Sequence, residues 1–470
     1  MNNKFIVLMI VSLFFACNDA IEIVPEDEFT PEITFESVSD LQQGLNGVYA
    51  QYNFEADITY NSIFTDNVKP GYASGGQQIP FFNWLLPTSS GNVTALWNSY
   101  YDMINAANRV IEASVFVDVS ADEQVAFNDI LGQLYGLRAV AHYHLHTYFT
   151  TDYLDESALS AIISDRVPVV TEVFARNTTG EMYDFILEDL ATASGFLSSG
   201  FNNNGFITED FITGLRARVA LLRNDASGIG LADNLIGQYP LANPAEYAAM
   251  FFDQDDTEVI FKLFRTTPVG GIWYFTNSAG PFLEASNGLY NTLEAADDVR
   301  LGVNINLTND INVAEGGPTD ISENIILIHK YPGNSSPFVN NIKAMRVSEM
   351  YLLKAELQVK AQNNLPGAAL TLKQLRDARN GADTPLATYA NSTEALADVM
   401  NERRMELAYE GARFLDIKRN KSILGGISRN PIDCAQGGAC ELPASDYRFT
   451  LPIPQVEVNA NPSITQNPGY

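Results

Sequence analysis

Basic residues are scarce in this chain of 470 residues. Lysine and arginine number 28 against 57 aspartates and glutamates, so the net charge is −29. No stretch of five or more like charges forms a local basic patch. An acidic field of this size opposes the binding of nucleic acids and other polyanions. The composition therefore argues against a nucleic-acid partner and favours neutral or cationic ligands.

Recognisable catalytic motifs are also missing. The sequence contains no phosphate-binding loop, no nucleophile elbow and no zinc-protease motif. His142 and His146 have the i, i+4 spacing of a zinc pair, but no glutamate lies between them as a metalloprotease requires. We therefore expect no enzymatic activity, no metal centre and no cofactor.

Two clusters of acidic residues keep one alternative open. Asp253, Asp255 and Asp256 form one cluster, and Asp297 and Asp298 form the other. Such groups could supply ligands for Ca²⁺ or a carboxylate pair for glycoside hydrolysis. Adjacent acids rarely converge on one point, so we expect no catalysis here and retain a structural Ca²⁺ ion as an alternative.

Long apolar runs are absent beyond the first residues. Lys4 precedes an apolar segment, Phe5 to Phe15, which is too short to span a membrane and is typical of a signal peptide. Residues 1–17 end in Ala16-Cys17, which resembles a bacterial lipobox whose cysteine is lipidated. The alternative is an ordinary signal peptide with an incidental cysteine. We expect a chain anchored through Cys17, with residues 18–35 as a flexible acidic tether.

Only two cysteines remain after Cys17. Cys434 and Cys440 enclose five residues, two of them glycines that let a short loop close. An exported protein meets oxidising conditions. The sequence therefore predicts a disulfide between them, and the alternative is two free thiols in a flexible loop.

Helical patterns dominate the part that remains. Apolar residues make up 46% of the chain and charged residues 18%, which is typical of a globular protein. Periodicity and capping signals predict helices over 41–54, 95–115, 123–149, from 178 onward, and over 208–223, 342–363, 365–380 and 393–419. Between about 226 and 340 the chain turns irregular, with short β-like runs. Although no clean 34-residue repeat appears, helix pairs on both sides of an irregular insert predict an α-solenoid that carries a ligand-binding excursion.

The last predicted helix has an unusual charge pattern. Glu402, Glu406 and Glu410 follow one another at i, i+4, where like charges repel. A sequence tolerates this row when each carboxylate has its own cationic partner. Candidate partners are Arg346, Arg376 and Arg379 on preceding helices and Arg403, Arg404 and Arg413 nearby. We predict a partly buried lattice of ion pairs between packed helices rather than a catalytic site.

Three C-terminal segments together resemble the SusD/RagB family of Bacteroidetes surface lipoproteins. They are Arg346 to Glu356, Asn401 to Arg419, and Leu451-Pro-Ile-Pro454 through to Tyr470. The resemblance implies one mainly α domain over 36–470, with about four tetratricopeptide-like helix pairs. Scaffold residues would be 36–54, 94–225 and 342–420, and variable ligand-binding regions 55–93 and 226–341. It also makes Trp97 and the His142–His146 segment scaffold, and Asp298 and Arg300 a structural ion pair.

The same resemblance implies a function. Members bind glycans at the cell surface, without cleaving them, and deliver them to a SusC-like TonB-dependent transporter in the outer membrane. Acidic residues directly after Cys17 resemble the signal that sends such lipoproteins to the surface. We expect a neutral oligosaccharide or polysaccharide, such as a glucan. The alternatives are a peptide-capturing member of the family, a glycoside hydrolase and a helical-repeat adaptor.

Aromatic residues in the two variable regions are the candidate binding residues. A sugar ring offers an apolar face to an aromatic ring and a rim of hydroxyls to polar side chains. The candidates are Tyr72, Phe82, Asn83 and Trp84 in the first region and Trp273, Tyr274 and Tyr290 in the second. The alternative for each aromatic residue is a core anchor beneath a long loop.

Overall fold

The computed structural model describes most of the chain beyond the N-terminal segment. The described residues are 34–71, 74–267, 275–276, 280–308, 325–333, 336–435 and 438–470. The predicted signal peptide with Cys17, and almost all of the predicted tether, lie outside them and stay predictions. Within the described residues, no helix is long and apolar enough to cross a membrane.

Helices form most of the described structure. In chain order they are α1 (Val38–Gln51), α2 (Phe54–Ile63), α3 (Ile79–Phe82), α4 (Gly91–Ala113), α5 (Gln124–Phe149), α6 (Thr179–Phe196), α7 (Glu209–Leu222), α8 (Ser227–Ile236), α9 (Pro244–Met250), α10 (Asn287–Ala296), α11 (Val299–Asn304), α12 (Val347–Lys360), α13 (Leu365–Asn380), α14 (Ser392–Glu406), α15 (Arg413–Leu424) and α16 (Gln455–Ala460). The expectation of a mainly α protein is confirmed.

Strands are short and pair two by two. They are β1 (Val68–Pro70), β2 (Val259–Leu263), β3 (Phe275–Thr276), β4 (Gly280–Pro281), β5 (Leu283–Ala285), β6 (Ile305–Thr308), β7 (Ile325–Ile328), β8 (Ile342–Arg346), β9 (Gly426–Ser428) and β10 (Glu441–Pro443). The antiparallel pairs are β1–β5, β2–β8, β3–β4, β6–β7 and β9–β10. Two of these pairs, β1–β5 and β2–β8, join segments that are far apart in the chain.

The helices stack as a solenoid. Each packs on its neighbour in the order α4, α5, α6, α7 and α8; α8 then packs on α12, which contacts α13 and α14. The irregular insert therefore leaves the stack after α8 and returns beside it at α12. This arrangement is the tetratricopeptide-like scaffold that the sequence resemblance implied.

Helix α5 forms the centre of the stack because one long segment of it is buried on all sides. Its residues from Ile130 to Phe149 are buried except for Tyr135, and they include His142, His144 and His146. His142 donates from Nδ1 to the carbonyl oxygen of Arg138 at 2.9 Å and accepts at Nε2 from the amide of Ser164 at 3.1 Å. Burial lowers the pKa of His142 and of His146 to about 3, so both rings are neutral. These histidines belong to the scaffold.

Three elements differ from the sequence predictions. A helix that was not predicted, α2, lies at the start of the variable region 55–93 and packs on α15. Residues 226–236 are not part of the insert, because α8 belongs to the stack. The predicted helix 393–419 is interrupted at 407–412, where Tyr409 (φ 61°) and Gly411 (φ 75°) have left-handed backbone. The capping box at Thr178 and Glu181 is present as predicted.

The predicted lattice of ion pairs lies between the helices of this C-terminal part. We call it the charged cluster; its members are Glu258, Arg300, Lys330, Arg346, Arg376, Arg379, Glu402, Glu406 and Glu410. Glu406 accepts from Arg346 at 2.9 Å and from Arg379 at 2.9 Å. Glu402 accepts from Arg300 at 2.6 Å and from Arg376 at 2.7 Å. Like charges one helical turn apart therefore each have cationic partners, as the sequence predicted.

The charged cluster is closed by residues that the sequence did not suggest. Glu410 pairs with Lys330 as well as with Arg346, and Glu258 pairs with both Arg346 and Arg379. Burial alone would raise the pKa of Glu406, but Arg379 and Arg346 outweigh it and hold the pKa well below its usual value. The cluster is a buried, charged core of the scaffold.

The three nearby arginines were assigned to the wrong partners. Arg404 and Arg413 both reach Asp66, at the end of the α2 region, and Arg403 pairs with Asp416. Arg403 and Arg404 lie on other faces of α14 than the glutamate row, and Arg413 lies beyond the break at 407–412. Arg404 and Arg413 connect the C-terminal helices to the segment that leads into β1, whereas Arg403 connects α14 to α15.

Candidate functional site

The two variable regions meet at strands β1 and β5. Val68, Lys69 and Pro70 are paired with Ala285, Glu284 and Leu283. The pairing continues at both ends, because the amide of Gly71 donates to the carbonyl of Phe282 at 2.8 Å and that of Ser286 donates to the carbonyl of Asn67 at 3.0 Å. Two aromatic-rich loops, far apart in sequence, therefore leave from one short ribbon.

A third segment fastens this ribbon. Cys434 and Cys440 form the predicted disulfide, with their Cα atoms 5.6 Å apart. On one side of it, Asp433 accepts from the amide of Asn287 at 2.7 Å and so caps the start of α10. On the other side, the amide of Ala439 donates to the Asn83 side chain at 2.9 Å. We call the described residues of 66–84, 281–290 and 431–440 the loop junction.

Phe82 and Trp84 form the buried floor of the loop junction and are not at its surface. Trp84 is only 2% exposed, and its indole nitrogen donates to the carbonyl of Phe64 at 2.7 Å. The guanidinium of Arg429 lies 3.6 Å from the ring centre of Phe82 and 4.1 Å from that of Trp84. Stacking on a sugar requires an exposed ring face, and the structure leaves none at either residue. We therefore correct the prediction and assign both rings to the core.

Arg429 is the residue that sequence reasoning missed here. It donates to the carbonyls of Thr65 at 2.8 Å, Phe82 at 2.7 Å and Ala439 at 3.0 Å. Burial lowers its pKa to about 9, so it stays charged at neutral pH. A buried cation held by carbonyls of three segments fixes the floor of the loop junction. Its sequence neighbours, Ser428 and Asn430, give no signal of this role.

Two predicted residues lie partly exposed at the loop junction, and three cannot be placed. Asn83 and Tyr290 are half-buried. Tyr290 projects from α10, and its hydroxyl donates to Glu294 at 2.6 Å. Tyr72, Trp273 and Tyr274 lie outside the described residues. The structure thus brings the two predicted regions together, and the glycan contacts predicted for Tyr72, Trp273 and Tyr274 stay predictions.

The acidic clusters are engaged in the fold. Asp253 pairs with Lys343, and Asp298 pairs with Arg300 at 2.6 Å. Asp256 pairs with Lys262. Across the described parts of the chain, no group of three or more histidine, cysteine or acidic side chains could hold a metal ion. These carboxylates serve as ion-pair partners within the insert.

Two family descriptions match separate parts of the chain. Residues 316–470 match the family described as "SusD family", and residues 22–208 match the one described as "Starch-binding associating with outer membrane". A curated relative, SusD-like protein P2 of Formosa agariphila, is 24% identical over 99% of each chain.

Solved structures agree on the fold. A sugar-binding protein from Bacteroides vulgatus, described as putative, is 24% identical and superposes with a TM-score of 0.76, covering 93% of this chain and 99% of its own. A protein described as "Laminarin binding SusD-like protein" is 19% identical with a TM-score of 0.70, covering 93% of this chain and 100% of its own. At identities of 24% and 19%, these superpositions support the fold and do not identify a ligand.

Proposed function

We propose that this chain, whose residues 316–470 match the SusD family and whose residues 22–208 match a family described as starch-binding and associated with the outer membrane, binds oligosaccharides or polysaccharides at the cell surface without cleaving them. It would deliver them to a SusC-like TonB-dependent transporter of the outer membrane. The observation that best supports a binding role is the loop junction, where two aromatic-rich variable regions leave from one ribbon. The charged cluster has its carboxylates and cations paired internally, which makes it a poor candidate for the ligand site.

The ligand chemistry follows from the side chains at the loop junction. Tyr290 offers an aromatic ring that could cover the apolar face of a sugar, and Asn83 lies within reach of hydroxyls. Tyr72, Trp273 and Tyr274 remain proposed contacts. With a net charge of −29, the protein should prefer a neutral glycan. The laminarin-binding structural relative makes a β-glucan the first ligand to test.

Anchoring completes the proposal. Lipidation of Cys17 would hold the protein at the outer membrane, and residues 18–35 would tether the body so that it can close over the transporter. Tethering raises the local concentration of the binder beside its transporter, so a modest affinity for a single glycan suffices.

The proposal also excludes bond cleavage. Hydrolysis of a glycosidic bond needs two carboxyl groups facing one sugar. Asp253 and Asp298, the acids that could suggest such a pair, are committed to Lys343 and Arg300. Their pairing supports a structural role for both.

Affinity electrophoresis of the purified protein tests the function directly. Native gels containing laminarin, starch or an anionic polysaccharide would be compared with a gel without polysaccharide. We expect retardation in at least one neutral gel and no new reducing ends after prolonged incubation. Failure in all gels, with peptides co-purifying instead, would replace the proposal by peptide capture. New reducing ends would show a hydrolase.

A further inference from the structure

A groove outside the loop junction lies between the helical scaffold and the insert. It has a volume of about 610 Å³ and is formed by the end of α1, the turn into α2, the loop before α7 and the chain that leaves β2. None of its lining residues belongs to the loop junction. The lining combines aromatic rings, Tyr49, Phe206 and Phe264, with the polar side chains of Asn46, Asn53, Glu55 and Arg265.

Phe264 is the unusual member of this lining. Its side chain is 55% exposed, although it directly follows the buried strand β2. The ring rests on Gly205, where a Cβ atom would lie 2.2 Å from the ring carbon Cε2. The ammonium of Lys262, which pairs with Asp256, lies 5.7 Å from the ring centre. Glycine therefore lets the backbone support the ring closely, while more than half of the side chain stays open to solvent.

The aromatic wall behind Phe264 is fixed. Tyr49 and Phe206 meet edge to face with ring centres 5.3 Å apart. The hydroxyl of Tyr49 donates to Gln133 at 2.9 Å and accepts from the amide of Ile207 at 2.7 Å. Packed and hydrogen-bonded rings lose little conformational freedom when a ligand arrives, which lowers the cost of binding.

The polar side of the groove carries balanced charge. Arg265 donates to Glu55 at 3.0 Å and to the carbonyl of Tyr52 at 3.2 Å. This pair supplies both donors and acceptors without adding net charge. Asn46 and Asn53 present exposed amides along the same edge. An exposed ring beside a neutral rim of donors and acceptors is complementary to a hydroxylated ring with an apolar face.

From these features we propose a second saccharide-binding subsite centred on Phe264, with Arg265 and Glu55 binding hydroxyl groups. The proposal rests on the proposed function and extends it, because the glycan would contact this groove as well as the loop junction. Two contact sites on one protein strengthen the binding of a multivalent polysaccharide more than that of a short oligosaccharide.

Substitution of Phe264 tests the subsite. The full-length protein and its Phe264→Ala, Phe264→Tyr and Tyr290→Ala variants would be run in gels containing laminarin or starch. Phe116→Ala is the matched control, because Phe116 is 57% exposed and lies in the short 3-10 turn that follows α4, outside the groove. Unfolding curves of all variants would establish that each is folded.

We expect Phe264→Ala to raise the apparent Kd about 3- to 10-fold, from the loss of one stacking contact. Phe264→Tyr and Phe116→Ala should remain close to the unsubstituted protein. If the unsubstituted protein is retarded and Phe264→Ala is retarded equally, the subsite is wrong and the proposed function stands. If no gel retards the unsubstituted protein, both proposals fail.

Discussion

The charged cluster and the loop junction use polar groups in opposite ways. In the charged cluster, Glu402, Glu406 and Glu410 are buried, and their partners are side-chain cations from other elements. In the loop junction, backbone pairs such as Gly71 with Phe282 and Ser286 with Asn67 join two of the segments. Side chains such as Tyr290 are half-buried there and stay partly open to solvent.

This difference suggests separate roles: the charged cluster holds the scaffold helices in place, and the loop junction presents the side chains that could contact a ligand. A buried charge that loses its partner is costly, so the charged cluster constrains how the C-terminal helices pack. Backbone pairing constrains the course of a loop but places few demands on its side chains. A fold built this way can keep its scaffold while the surface of the loop junction changes.

The largest effect on stability is expected when the central carboxylate of the charged cluster is removed, which tests whether this cluster is structural. Glu406→Ala would leave Arg346 and Arg379 buried with one partner fewer, and we expect a loss of about 3–5 kcal/mol in the free energy of unfolding. Guanidinium unfolding curves measure it. Glu172→Ala, which breaks an exposed pair with Arg166, is the control and should barely move the midpoint.

Glycan affinity of the folded fraction should be the same in Glu406→Ala as in the unsubstituted protein. Lost affinity at unchanged stability would place the charged cluster in the binding site. The comparison between the two regions would then be wrong.

Trp84 tests the boundary between the loop junction and the core beneath it. Trp84→Ala removes a buried ring that contacts Arg429 and a hydrogen bond to Phe64. We expect a loss of about 3 kcal/mol of stability. Trp84→Phe, which keeps a ring over Arg429, should lose much less. Denaturant unfolding and glycan titration should be measured on the same samples, since a stable Trp84→Ala protein without glycan affinity would restore Trp84 as a ligand contact.

The scaffold was predictable because its signals are local. Helical periodicity and the Thr178–Glu181 capping box each lie within a few residues of what they determine. The glutamate row was informative for the same reason: like charges at i, i+4 require partners, and Arg346 and Arg379 are among the few cations on nearby predicted helices. The break at 407–412 was missed because the apolar period continues through it.

The sequence indicated which regions form the loop junction, but it did not show which of their side chains are buried or which segments contact one another. The exposure of Trp84 depends on Arg429, which lies in a distant part of the chain with no local pattern. The contact of Asp433 with Asn287 likewise joins two segments that only the tertiary fold brings together. Helix α2 was overlooked because its apolar residues, including Ile58 and Ile63, are buried on several sides and show little amphipathic pattern.

The stability of the scaffold should depend on pH because His142 is buried in α5 as a neutral ring. The pKa of this buried ring is about 3, below the usual 6.5, so the unfolded chain takes up a proton first as the pH falls. Stability present above pH 6.5 is therefore lost on acidification, by about 2 kcal/mol between pH 6.5 and 5. Urea unfolding of the unsubstituted protein and of His142→Gln, at several pH values, measures the difference in slope.

His142→Gln should be less stable at pH 7 and should show a flatter pH dependence. His329→Gln is the comparison, because His329 is only half-buried and should change the slope less. Equal slopes for His142→Gln and the unsubstituted protein would mean that His142 is not held neutral in the fold.

The smallest effect on stability, and the most specific for function, is expected at Tyr290. Its hydroxyl bonds to Glu294 of the same helix and its ring is only half-buried, so Tyr290→Ala should cost less stability than the core substitutions above. If its ring covers a sugar, the Kd for a bound glycan should rise about 5-fold, or about 1 kcal/mol. Titration calorimetry with Tyr447→Ala as control, a tyrosine 46% exposed elsewhere, distinguishes a local from a general effect. Unchanged affinity in Tyr290→Ala would leave the loop junction without its described aromatic contact, and binding there would have to rest on Asn83 and the flanking loop segments.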